Sequence, residues 1–328
     1  MNEIQTVLST VGFKAEQLQR LRDVFAEARF IQLRPNDAAG IAEALRLADV
    51  AILASDLDER YWNAPRLRWI HCDHAGLNNS ARPEVFERGL LVSGSAGRSA
   101  PALADHALFF MLALTFQYPS FLDAQRAHLW GFPGQEKLRG LYGQTVGIIG
   151  MGNIGRELAL RAKACGMRVH GYRRRAADCP EAVDRMYCAE RGEQLDSLLR
   201  ECDFAIVAVP LSDATHHLIG ARELALMKPT AFLINLARGA IVDEAALLCA
   251  LREARLAGAG LDTFSQEPLP PSHPLWDAPR TLITPHCTPP VYDRTERSIA
   301  IIAENARRYR AGERLLNELT PADVYTRG

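Results

Sequence analysis

Two short stretches of this 328-residue chain have residue types and spacings that could do chemistry. In "VGIIGMGNIG" (146–155), Gly150, Gly152 and Gly155 follow an apolar run and open a helical stretch. Gly150 permits a tight turn, Gly152 lets the backbone approach a pyrophosphate, and Gly155 lets helix and strand meet closely. The phosphates would lie over the N–H groups of Gly152, Asn153, Ile154 and Gly155, at the positive end of a helix. The second stretch is Arg173-Arg174-Arg175, beginning 18 residues after Gly155 at the end of the next apolar run. That is where such folds read the adenine ribose, commonly with a carboxylate that accepts from its hydroxyls. A guanidinium binds a 2′-phosphate bidentately and stacks on adenine. The triplet therefore predicts NADP(H) as the preferred cofactor, with NAD(H) the second choice.

These residues need elements to hold them. From about Gln144 the chain alternates apolar runs with helical stretches. "TVGIIG" (145–150), "MRVHGY" (167–172), "FAIVAVP" (204–210), "AFLINLA" (231–237), "AGAGLDTF" (257–264) and "TLITPH" (281–286) read as strands. Helices are expected at 156–165, 195–200 and 243–255. Continuous apolar strands alternating with helices imply a parallel sheet covered on both faces. "IQTVLS", "ARFIQL", "VAILAS", "LRWIHC" and "LLVSGS" repeat this grammar in the first hundred residues, with a helix at 15–25. Between the halves, "SAPALADHALFFMLALT" (99–115) reads as a helix apolar all round, which must be buried between domains or subunits. The amphipathic segment 292–310, stopped by Gly312, is expected to return to the first domain. The fold class is thus α/β, with two doubly wound parallel-sheet domains. A Rossmann cofactor domain (99–289) is inserted in a smaller flavodoxin-like substrate domain (1–98 and 290–328).

Composition narrows the partners. Lys and Arg number 38 against 39 Asp and Glu, a net charge of −1, which argues against a nucleic-acid or acidic-membrane surface. The N-terminus carries no basic segment followed by an apolar one, and the longest apolar run is Ala107–Leu114, far short of a membrane span. Seven scattered cysteines without a CxxC pair suit reduced thiols in a cytoplasmic protein with no bound metal.

Taken in order, "GIIGMGNIG" (147–155), "VPLSDATHHLIG" (209–220), "INLARGAIVDE" (234–244), "LDTFSQEP" (261–268) and "TPH" (284–286) resemble the D-isomer-specific 2-hydroxyacid dehydrogenase family over nearly the whole chain. Trp130 also stands where these proteins often have a Trp. The resemblance implies hydride transfer between NADP(H) and C2 of a small 2-oxo or 2-hydroxy acid, of the glyoxylate or hydroxypyruvate type. It implies that Arg238 grips the substrate and that His286 exchanges the proton, a role suited to imidazole. Glu267 is expected to hydrogen-bond His286 and favour its charged form. Asp262 would orient the nicotinamide, and Val209, Pro210 and Thr215 would line the cofactor. Other histidines, including His106, are expected to be structural or solvent-facing.

In the first domain "HCDHAGLNN" (71–79) is similar to the family loop whose backbone holds the substrate carboxylate, with Ala75 and Gly76 nearest the pattern. Asp73 and His74 depart from it: they either point away or select a substrate carrying its own donor. Pro289 and Pro290 after the catalytic histidine are a further departure. The resemblance implies a homodimer formed through the helix 99–116 and the segment 121–142. A reading from another class is a cofactor-sensing regulator of the corepressor type on the same fold.

Overall fold

The computed structural model describes residues 3–288 and 290–327. The chain divides into two compact units, residues 1–99 with 290–328, and residues 100–289.

The first unit is built on five parallel strands, β1 (Thr6–Ser9), β2 (Arg29–Gln32), β3 (Val50–Leu53), β4 (Trp69–Cys72) and β5 (Leu91–Gly94), in the order β2-β1-β3-β4-β5. This is the flavodoxin-like order. Because side chains alternate along a strand, each strand feeds two cores. Leu8, Ala51, Leu53, Ile70 and Cys72 enter one, with Ile41 and Leu45. Val7, Val50, Ile52 and Trp69 enter the other, with Leu21 and Phe25 from the helix Ala15–Val24 and Ile302, Ala306 and Tyr309 from Arg294–Ala311. Trp69 stacks on Tyr309 at 5.7 Å. Gly312 ends that last helix in the left-handed conformation at φ 69°, where glycine carries no Cβ penalty.

The second unit is a seven-stranded parallel sheet: β6 (Thr145–Ile149), β7 (Arg168–Arg173), β8 (Arg185–Cys188), β9 (Phe204–Val207), β10 (Phe232–Asn235), β11 (Gly258–Leu261) and β12 (Thr281–Ile283). Its order is β12-β11-β10-β9-β6-β7-β8. Chain order reverses at β6, the switch point outside whose carboxyl edge ligands bind in open α/β sheets. Strand β8 falls in a stretch where no strand was expected; its residues Arg-Met-Tyr-Cys contain no aliphatic run, and neighbouring β7 supplies the pairing.

The helix Ala100–Thr115 packs on this sheet through Ala104, Ala107, Phe110, Met111 and Leu114. A Cβ at Gly260 of β11 would stand 2.6 Å from the Phe110 ring, so glycine there admits the helix. Burial on all sides was expected for this helix, but within the chain it is buried on one face only. Phe109, Leu112 and Phe116 on the other face remain 43–49% exposed, because the sheet can cover a single side. Among the described residues no single helix is long and apolar enough to cross a membrane.

Candidate active site

The glycine turn joins β6 to the helix Asn153–Ala164. Gly150 has φ 108°, and a Cβ there would lie 2.5 Å from the Ala208 carbonyl oxygen and 2.9 Å from Val209 Cγ1. A Cβ at Gly155 would overlap the Gly150 carbonyl oxygen, so two neighbouring glycines set the turn. A Cβ at Gly152 would instead point into open space. Gly152 is also the helix N-cap and offers no side-chain cap, which leaves the first-turn N–H groups directed at that space. The arrangement fits a pyrophosphate: a cradle with room and unsatisfied donors. Thr215 closes the facing loop by donating to the Pro210 carbonyl at 2.7 Å and accepting from Ser212 N at 2.8 Å.

Arg173 ends β7 half-buried, while Arg174 and Arg175 are exposed. Arg173 Nη1 and Nη2 donate to the carbonyls of Asp178 and Ala177, curling the following loop around the guanidinium. Its Nε is buried without a hydrogen-bond partner among the described residues. An orphaned donor here fits an anionic ligand that supplies the missing acceptor.

Arg238, Glu267 and His286 come from three carboxyl-edge loops, those after β10, β11 and β12. Asn235, at the end of β10, accepts from Ala237 N at 3.0 Å and donates to the Arg238 carbonyl at 2.9 Å, fixing the backbone that presents Arg238. Arg238 Nη1 donates to the Ala237 carbonyl at 2.7 Å. Gly239 lies so close to the next loop that a Cβ would overlap the Phe264–Ser265 backbone. In that loop Phe264 N donates to Glu267 Oε1 at 2.9 Å. The other carboxylate oxygen, Oε2, accepts from His286 Nδ1 at 2.7 Å. The imidazole is 45% exposed and its Nε2 is left for another partner. Tautomer and ring orientation are thus set by Glu267. His286 itself has φ 49°, a sparsely populated backbone for a non-glycine residue.

Asp262, just after β11, is 1% exposed. Its Oδ1 accepts from Thr284 Oγ1 at 2.6 Å and Cys287 N at 3.1 Å, and Thr288 Oγ1 stands 3.3 Å from Oδ2. It therefore anchors the strap of chain that carries His286. His106, from the helix Ala100–Thr115, joins the same cluster, with Nε2 3.2 Å from Thr284 Oγ1 and Nδ1 2.7 Å from Thr288 Oγ1. Burial lowers the basicity of His106, against the opposing pull of the Asp262 charge. Asn235, Thr284, Thr288 and the link of His106 to Asp262 were not anticipated. For Asn235 the available signal was a polar residue at the end of an apolar strand, and it is 1% exposed.

In the first unit the loop after β4 has Ala75 exposed and Gly76 half-buried, and neither amide donates a hydrogen bond among the described residues. Asp73 turns to Ser95 Oγ and Arg98 Nη1, both at 2.8 Å. Arg98 also donates to Ser298 at 3.0 Å. The expected negative charge beside the loop is therefore neutralised by a buried guanidinium. Burial holds the Arg98 guanidinium below its usual range, with Asp73 opposing. His74 lies 3.6 Å from Asp56. Behind Asp73, His71 is fully buried between Ser93 and Ser95, each 3.0 Å from a ring nitrogen. Burial pushes its pKa down to about 4, opposed by Asp73 and helped by Arg98. Pro289 lies outside the described residues, so the expected Pro289–Pro290 turn has no structural account; Pro290 is exposed.

The glycine turn at the switch point, with an Arg and a hydrogen-bonded His–Glu pair on neighbouring carboxyl-edge loops, is an arrangement suited to a nucleotide-dependent oxidoreductase. Residues 108–288 match the D-isomer specific 2-hydroxyacid dehydrogenase, NAD binding domain. The chain belongs to this family and is a D-2-hydroxyacid dehydrogenase. It is 35% identical over 308 residues to a glyoxylate reductase of Thermococcus gammatolerans, covering 89% of this chain and 90% of that one. A family member from Xanthobacter autotrophicus, solved with NADPH and MES, superposes with a TM-score of 0.80 at 28% identity, over 98% and 99% of the two chains. An NADPH-dependent glyoxylate/hydroxypyruvate reductase of Sinorhizobium meliloti, solved with NADP and sulfate, gives 0.79 at 25% identity, over 97% and 99%.

Proposed function

We propose that the protein is an NADP(H)-preferring reductase of small 2-oxo acids of the glyoxylate or hydroxypyruvate type, working as a cytoplasmic homodimer. The observation that carries this reading is the 2.7 Å His286–Glu267 hydrogen bond, on a loop whose neighbour presents Arg238. Bound at the glycine turn, the cofactor supplies the hydride. Arg238 binds the substrate's carboxylate and carbonyl, as a forked cation does best. His286, with Nδ1–H held by Glu267, gives its Nε2 proton to the oxygen that becomes the hydroxyl, and takes one back in the reverse direction. Glu267 stabilises the positive ring while the proton is held there. The amides of Ala75 and Gly76 bind the carboxylate. Asp262 orients the nicotinamide, and Val209, Pro210 and Thr215 line the cofactor.

Preference for NADP(H) is supported by the buried, partnerless Nε of Arg173 and by the exposed Arg174 beside it. Support for the dimer is the apolar outer face of Ala100–Thr115, where Leu108, Phe109, Leu112 and Phe116 line a groove with Tyr118 and Phe121. The test is oxidation of NADPH and NADH in parallel with glyoxylate, hydroxypyruvate, pyruvate and a bulkier 2-oxo acid. NADPH-preferring turnover of the small acids is expected. It should vanish in Arg238→Ala and His286→Ala with dinucleotide binding retained. Preference for NADH, equal in wild type and in Arg173→Ala/Arg174→Ala, would overturn the cofactor assignment.

A further inference from the structure

The loop whose amides are assigned to the substrate carboxylate begins with an anion of its own. Asp73 precedes Ala75 by two residues, and successive Cα atoms are about 3.8 Å apart, so the two lie within about 8 Å of each other. That is no more than a Debye length of about 8–10 Å at ordinary ionic strength, so an uncovered Asp73 would repel an anion held at Ala75 and Gly76. The structure covers it with one buried cation. Arg98 Nη1 donates to Asp73 Oδ1 at 2.8 Å, and the two side chains are 6% and 13% exposed. Ser95 donates to the same oxygen at 2.8 Å through its hydroxyl, and to the His74 carbonyl at 3.0 Å through its amide. The carboxylate thus has a fixed seat at the foot of the loop. Arg98 is fixed in turn by Ser298 at 3.0 Å. The other charges nearby are Asp56, 3.6 Å from His74, and the exposed Arg294, whose positive charge is felt by Arg98. His71 behind the pair is neutral near pH 7, since burial pushes its pKa down to about 4.

We propose that Arg98 is a specificity-determining residue: it cancels the Asp73 charge and so allows the loop of Ala75 and Gly76 to take an anionic substrate. The inference rests on the reading that these amides hold the substrate carboxylate. It adds that their affinity for an anion is set by the net charge of a pair beside them, as well as by the amides. Arg98 acts through space, because its guanidinium is committed to Asp73 and Ser298. The pair can therefore be tuned in both directions. Removing the guanidinium makes the foot of the loop one unit more negative, and removing the carboxylate makes it one unit more positive. Removing both returns it to neutrality. A role in packing alone predicts something else, since every substitution would then impair the loop.

The test is a charge series, read as kcat/KM for glyoxylate at saturating NADPH, with NADPH affinity measured separately by fluorescence. A unit charge at this range is worth about fivefold, between the limits set by water and by a protein surface. In low salt, kcat/KM should fall about fivefold in Arg98→Met and rise about fivefold in Asp73→Asn. In Arg98→Met/Asp73→Asn it should return to within about twofold of wild type. Both shifts should shrink below about twofold in about 1 M salt, where the Debye length is about 3 Å. NADPH affinity should stay within about twofold throughout. Should Arg98→Met fail to fold, Asp73→Asn and the double variant carry the test, because a packing role does not raise activity. An unchanged or lowered kcat/KM in Asp73→Asn overturns the proposal and leaves the reductase reading standing. So does a double variant well below wild type, a series indifferent to salt, or an NADPH affinity that follows the charge. Wild type that reduces no 2-oxo acid overturns that reading as well.

Discussion

The fully buried His71 makes the first unit acid-labile in a way that can be calculated. Its two ring nitrogens meet Ser93 and Ser95, and the neutral ring satisfies both. Its folded pKa is about 4, against an ordinary histidine value of 6.5. The native state therefore binds the proton less readily than the unfolded chain. The stabilisation is complete above pH 6.5 and is lost as pH falls towards 4. At about pH 4.5 the unfolded imidazole is almost wholly charged and the buried one mostly neutral, a difference of about 2.5 kcal/mol. For a unit of this size that corresponds to a fall in melting temperature of about 5–10 °C. The assay is urea unfolding at about pH 7.5 and about pH 4.5, read by hydrogen exchange of β4, for wild type and His71→Gln. Other carboxylates protonate equally in both proteins and cancel. Wild type should lose about 2.5 kcal/mol more than the variant between the two pH values. Parallel losses would show that the ring titrates alike folded and unfolded, and would refute the argument.

Three further outcomes are expected. Gly239→Ala drives a methyl group into the Phe264–Ser265 backbone and misplaces the loops of Arg238 and Glu267, so kcat/KM should fall about 100-fold with dinucleotide affinity within about twofold; a loss under about threefold by steady-state assay would refute this close approach. Arg98→Met strips the half-buried Asp73 charge of its buried guanidinium while Ser95 stays in place, and should cost about 3 kcal/mol in urea unfolding, most of it recovered in Arg98→Met/Asp73→Asn. Phe109→Glu with Phe116→Glu places charge on the exposed apolar face, and light scattering should find a dimer in wild type and a monomer in the variant.

Backbone geometry was the most legible feature in the sequence. Glycine spacing encodes it directly, since Gly150 and Gly155 each answer a separate steric demand and Gly152 leaves open space in front of the turn. Aliphatic runs marked every strand except β8, whose Arg185 and Tyr187 instead pair with Glu201 through an ion pair and a hydrogen bond. Side-chain partnerships across long separations were illegible. His106 looked like an incidental polar residue on an apolar helix because its partners Thr284 and Thr288 lie about 180 residues downstream. Asp73 looked like a charge beside an anion site because nothing local revealed that Arg98 would cover it. The position of Arg173 was readable, but the curl of the Ala177–Asp178 carbonyls around its guanidinium was not.

The discontinuous first unit has a consequence for biosynthesis. Its second core needs Ile302, Ala306 and Tyr309, yet Trp69 and Phe25, which they cover, are synthesised more than 200 residues earlier. At bacterial or eukaryotic elongation rates that interval is roughly 10–50 s. Throughout it the face of the five-stranded sheet that carries Trp69 is covered by the helix Ala15–Val24 alone, while the contiguous stretch 100–289 can already complete its own core. If that stretch were still unfolded, closing it as a loop would cost about 4–5 kcal/mol more than joining adjacent residues. The nascent chain thus gains by folding its middle first, and the apolar face around Trp69 is the surface a ribosome-associated chaperone would meet.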